Sequence, residues 1–94
     1  MMELATLRSM VNELNEYSTL YKVDKVQSLL LRECSRIKRK IQEPNLLPIT
    51  KVQLIRMYWV RVELLARAEM HFKAVLNRYY GVRPSYDPTI TPNS

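Results

Sequence analysis

The sequence predicts an all-α protein: a three-helix up-down-up bundle with a long third helix and an extended, proline-containing C-terminal arm. Three observations carry this expectation. The helix breakers are confined, with the one Gly at position 81 and the five Pro at 44, 48, 84, 88 and 92, so two long stretches are free to be helical. Apolar residues recur at steps of three and four along those stretches. One uninterrupted segment, Lys51 to Tyr80, carries recognisable signals at both ends. Residues 1–81 are therefore expected to form a single helical domain and residues 82–94 an extended or disordered arm. With 94 residues, 47% apolar and 26% charged, the chain has the mix of one small globular domain of modest stability.

The first helical segment is expected from about Glu3 to Glu16, with a last turn fraying towards Tyr21. Leu4, Leu7, Val11 and Leu14 make one apolar stripe flanked by Met10, and Glu3 suits the positive end of a helix dipole. The second segment is expected to begin at Asp24, which with Gln27 has the residue types of a capping box. From there Val26, Leu29, Leu30, Cys34, Ile37 and Ile41 fall within an arc of about 140°. Arg32, Arg36 and Arg39 lie nearly opposite, with Lys40 at their edge, and Leu31 stands outside the stripe. Pro44 stops the helix, because the residue before a proline is disfavoured in the helical region.

Glu43 to Ile49 reads as a short connection in which Leu46 and Leu47 fold back as a plug. Thr50 and Gln53 have the form of a capping box for the third segment, and Ile49 with Leu54 the spacing of a hydrophobic staple. Val23-Asp24-Lys25-Val26-Gln27 resembles Ile49-Thr50-Lys51-Val52-Gln53. The likeness ends after five residues and is better explained by shared helix-start chemistry than by duplication. Gly81 stands where a left-handed C-terminal cap belongs.

The third segment is expected to span roughly 45 Å. Its polar residues Gln53, Arg56, Glu63, Arg67, His71 and Arg78 share an arc of about 80°, and much of the rest is apolar. So wide an apolar arc fits a central helix packed on two sides. Glu63 with Arg67, and Glu69 with Lys73, have the favourable four-residue spacing for ion pairs. Arg61 lies within the apolar arc, where a carboxylate partner inside the chain is expected from Glu13, Glu16 or Glu33. The arm has Pro at 84, 88 and 92, so it lacks the P-x-x-P spacing of polyproline-recognition ligands.

The residues that could carry catalysis are sparse. A nucleophilic enzyme needs a nucleophile, a base and an orienting group. The only His is His71, on the polar face of the third segment, and the only Cys is Cys34, on the apolar stripe of the second. Arg67 and Val75 occupy the helical neighbour positions of His71, so no metal-ligand pair forms there. The single Gly rules out a glycine-rich phosphate loop. The expectation is a non-enzymatic protein with no cofactor and no metal. A lone cysteine and the lack of a signal-peptide pattern or an apolar run of membrane-spanning length argue for an intracellular, cytoplasmic protein with no membrane partner.

The net charge of +6 is unevenly placed: residues 1–24 carry −2, residues 25–42 carry +5 and residues 51–80 carry +4. Two function classes follow. In the first, the long helix outruns its cover near Met70. Phe72, Val75, Leu76, Tyr79 and Tyr80, with Tyr86 and Ile90 of the arm, then form a partner-binding surface. Such a protein is a homo-oligomer or a small subunit of a larger assembly, viral particles included. In the second, Arg32, Arg36, Arg39 and Lys40 meet successive phosphates of a nucleic acid, with the tyrosines near Arg78 and Arg83 as stacking platforms. The first is the leading expectation, since the connection between the second and third segments is unlike the tight turn of a helix-turn-helix.

Overall fold

The computed structural model describes residues 2–80 as three α-helices: α1 (Leu4–Asn12), α2 (Leu20–Ile41) and α3 (Pro48–Tyr80). Among the described residues there is no strand. The expected cap at Gly81 and the arm at residues 82–94, including Tyr86 and Ile90, lie outside the described residues.

α1 is shorter than the sequence suggests. It ends at Asn12 because polar side chains downstream compete for the main chain. Asn15 Oδ1 accepts a hydrogen bond from the Tyr17 N–H at 2.7 Å, and Ser18 Oγ accepts one from the Asn15 N–H at 3.0 Å. Leu14 is still buried, so the apolar stripe outlives the helix that was expected to present it. Nine residues are too few to hold a helix in water, and burial of Leu7 and Val11 holds this one.

α2 begins a turn before the expected Asp24 cap. Thr19 is the N-cap, its hydroxyl accepting from the Lys22 N–H at 3.1 Å. The early start adds Val23, fully buried, to the stripe of Val26, Leu30, Cys34 and Ile37. Lys38, Arg39 and Lys40 occupy the last turn, where the helix dipole favours cations. Asn45 in the following loop takes a left-handed conformation, φ 66°, which asparagine tolerates better than most residues.

α3 also starts earlier than expected, with Pro48 in its first turn, where a missing N–H costs nothing. The Leu47 carbonyl accepts from the Lys51 N–H at 3.0 Å. Thr50 is thus inside the helix, and neither its capping box nor the Ile49–Leu54 staple forms. Ile49 and Leu47 are exposed, and only Leu46 of the expected plug is half-buried. The two matching pentapeptides lie within helices rather than at their caps.

α2 packs along α3, and α1 touches both. Leu7, Val11 and Leu14 meet Val23, Val26 and Leu30 of α2 over Leu64, Ala68 and Val75 of α3. The C-terminal half of α3 therefore does not outrun its cover. Val75, expected at an association surface, is fully buried in this cluster, and Phe72 packs against it. The reason is the position of the first 20 residues, which lie over that half of α3. The radius of gyration is 17.5 Å, against roughly 12 Å for a compact chain of this length. A 33-residue helix of about 50 Å accounts for the elongation.

Candidate association surface

The buried side chains of α3 are Arg61, Leu64, Ala68 and Val75. At about 100° per residue these fall on one side of the helix, and Val52, Ile55, Trp59 and Met70 fall on the other. Those four are exposed: Trp59 by 62%, Met70 by 70%, Val52 by 45% and Ile55 by 37%. α3 is thus apolar on two opposite sides, and α1 and α2 cover one of them.

The uncovered stripe has regular spacing. Val52, Ile55, Trp59, Val62 and Ala66 stand at offsets of 0, 3, 7, 10 and 14, the pattern of a helix that packs on another helix. The Trp59 indole is braced by Tyr58, with ring centroids 5.5 Å apart and planes at 78°, the favourable edge-to-face arrangement. Towards α2 the surface continues into a groove in which Leu31, Cys34, Tyr58, Val62 and Leu65 are joined by the polar Ser35 and Lys38. Leu31, which stood outside the stripe of α2, is exposed at its rim. The shared side of Val52, Ile55, Trp59 and Met70 is present in their spacing, at steps that return to one face of the helix. A wide apolar arc alone fits equally a helix covered on two sides by its own chain, which is why the spacing does not by itself mark this side as open.

The residues expected at that end are divided by the structure. Phe72 and Leu76 are half-buried, Val75 is buried, and Tyr79 and Tyr80 are exposed. Arg78 is engaged with Tyr17, its guanidinium 4.5 Å from the ring centroid, a cation–π contact between α3 and the turn after α1.

The basic face of α2 is present in part. Arg32, Arg39 and Lys40 are exposed, and Arg36 leans towards the core, 3.5 Å from Glu33 Oε2. Arg61 has the intramolecular carboxylate partner expected of it. Its Nε lies 3.8 Å from Oε1 of Glu33, and both residues are only 3% exposed. The pair is clamped by main chain: Arg61 donates to the carbonyls of Met57 and Met2, both at 3.1 Å, and the Met2 N–H donates to Glu33 Oε1 at 3.2 Å. Arg61 Nε itself has no hydrogen-bond partner among the described residues. Neither expected Glu-to-base pair on α3 forms. Arg67 instead donates to Asn12 Oδ1 at 2.7 Å, joining α3 to α1.

Cys34 is buried, and burial pushes its thiol above the usual range, opposed by the nearby Arg61 and assisted by Glu33. That raises the cost of forming the thiolate needed for nucleophilic attack. Among the described residues no three His, Cys, Asp or Glu side chains gather as a metal site, and no helix is long and apolar enough to cross a membrane. In comparisons with known proteins, no family model, curated protein or solved structure gave a significant match to the chain.

Proposed function

We propose that this chain is a non-enzymatic interaction or assembly protein that associates through the uncovered side of α3, as a homo-oligomer or as a small subunit of a larger complex. The observation that carries this reading is the exposure of Trp59, Met70, Val52 and Ile55 in one stripe opposite the buried face. A contiguous apolar surface of this kind is costly to leave in water and marks interfaces. Tyr80, exposed at the end of α3, falls at the edge of the same side and extends the proposed surface, whereas Tyr79 falls on the side of Arg61.

An up-down-up arrangement is part of the same reading. It is supported by α2–α3 contacts whose order runs oppositely along the two helices: Tyr17, just before α2, meets Arg78 and Glu33 meets Arg61. Met2 with Arg61 and Asn12 with Arg67 run in the same order along α1 and α3. In that arrangement α3 has neighbours on one side only among the described residues.

Trp59→Asp tests the reading. Burying one large apolar side chain contributes roughly 1.5–3 kcal/mol. The substitution is therefore expected to weaken association about tenfold to a hundredfold in sedimentation equilibrium, with helicity unchanged. An unchanged molar-mass profile would count against the surface.

A second reading, nucleic-acid binding, is favoured by the exposure of Arg32, Arg39 and Lys40 on the outer side of α2. It expects binding at low salt that weakens steeply as salt rises, since phosphate contacts release counterions. Replacing Arg32, Arg36 and Arg39 with Ala is expected to abolish that binding and leave the molar mass unchanged. Absence of binding to DNA or RNA at low salt would end this reading.

A further inference from the structure

We infer that the occupant of the uncovered α3 face is the same face of a second copy of this chain, laid antiparallel and crossing near Val60. This rests on the association surface proposed above and adds its partner and its direction. The argument is one of charge on the two flanks of the stripe.

Beside the stripe the exposed charged residues are Arg56, Glu63 and Arg67 on one flank and Lys51 and Glu69 on the other, with Lys73 further along towards the C-terminal end of α3; Arg67 is held by Asn12. Arg56 and Glu63 stand three and a half residues either side of position 59.5, and Lys51 and Glu69 stand nine either side of position 60. The two centres lie half a residue apart, at the middle of the apolar stripe. None of the four residues in these pairs is engaged in an ion pair among the described residues.

A twofold axis at that centre, perpendicular to the helix, turns α3 onto an antiparallel copy and sets each flank against the same flank of the partner. Arg56 then faces the partner's Glu63, and Lys51 faces the partner's Glu69. By symmetry each pair occurs twice. Trp59 lies beside the axis and packs into the partner's stripe, with Val52 and Ile55 opposite the partner's Ala66 and Met70 end. A parallel, in-register pair would instead bring Lys51 beside the partner's Arg56, like charges at the positions that set helix orientation in paired helices. The charge pattern therefore favours the antiparallel copy and opposes the parallel one.

Charge reversal tests this. Arg56→Glu and Glu63→Arg are surface changes, each expected to weaken self-association about tenfold, because two attractive pairs become repulsive. Mixed together, the two variants are expected to form a heterodimer as tight as the wild type, since both flanking contacts are attractive again. The double variant, Arg56→Glu with Glu63→Arg, is expected to self-associate like the wild type. Sedimentation equilibrium with one chain carrying a dye reads all four cases, and circular dichroism checks each fold.

Three results would overturn the inference, and they differ in what they leave standing. A wild-type chain that stays monomeric at every concentration removes the second copy and leaves the face to another partner. A dimer indifferent to Trp59→Asp removes the face itself. A dimer weakened by Trp59→Asp whose single charge variants do not recover on mixing removes the antiparallel register.

Discussion

Replacing Arg61 with Ala is expected to lower the stability of the fold by about 3–5 kcal/mol, measured as a fall in the urea midpoint at unchanged slope. Arg61 and Glu33 are buried together, and breaking such a pair leaves one charge in the interior with little to stabilise it. The Met2 carbonyl would lose its side-chain donor in the same step, while the Met57 carbonyl keeps the helical N–H of residue 61. Arg36 and the Met2 N–H remain to Glu33, and Arg36 is partly in solvent, which weakens its help. A small domain has only about 5–15 kcal/mol in total, so the variant should be largely unfolded at moderate urea. Replacing both members, Arg61→Met with Glu33→Met, is expected to cost far less, because the desolvation of two charges disappears with them. A single-variant loss below about 1 kcal/mol would show that the pair does not hold the three segments together.

Val75→Asp is expected to abolish cooperative thermal unfolding. The side chain has no exposure and sits among the apolar residues that α1, the following turn and α2 place over α3. A carboxylate there would be buried without a cation, a change among the most destabilising a single residue can make. Phe72→Asp, which packs on the same cluster, should act in the same direction. Tyr80→Asp, on an exposed side chain, should change stability by about 0.5 kcal/mol or less. A folded, soluble Val75→Asp monomer would place that residue at an interface and return the association surface to the end of the helix.

The contrast between these residues marks what could be read from the sequence. The all-α class followed from where Gly81 and the five prolines fall, and the buried stripes of α1 and α2 followed from period alone. The starts of α2 and α3 lie about one turn before the positions the sequence suggests, while α1 begins where expected. Asp24 and Thr50 have the right chemistry for caps, but Thr19 and Pro48 lie upstream, and adding Val23 to the buried stripe rewards the longer helix. That Arg61 has a carboxylate partner was legible because a charge within an apolar arc needs one, but period alone left Glu13, Glu16 and Glu33 equally open. The covered state of Val75 was not, since it depends on the turn at Asn15 and Ser18 directing the first segment onto the far half of α3. Lengths of helices do not show which half of a rod its neighbours choose. The stripe through Val52, Ile55, Trp59 and Met70 was written in the spacing, but period alone cannot tell a face covered by the same chain from one left open.

Trp59 is the only tryptophan, and it stands at the centre of the uncovered stripe. Its fluorescence therefore reports on that surface without any label. In a dilution series of the wild-type chain, the emission is expected to lie at the wavelength of a water-exposed indole at low concentration. It should move to shorter wavelength as the concentration rises and the two faces meet. An emission maximum that stays at the exposed value while the molar mass increases would contradict the account, because association would then be taking place elsewhere on the molecule.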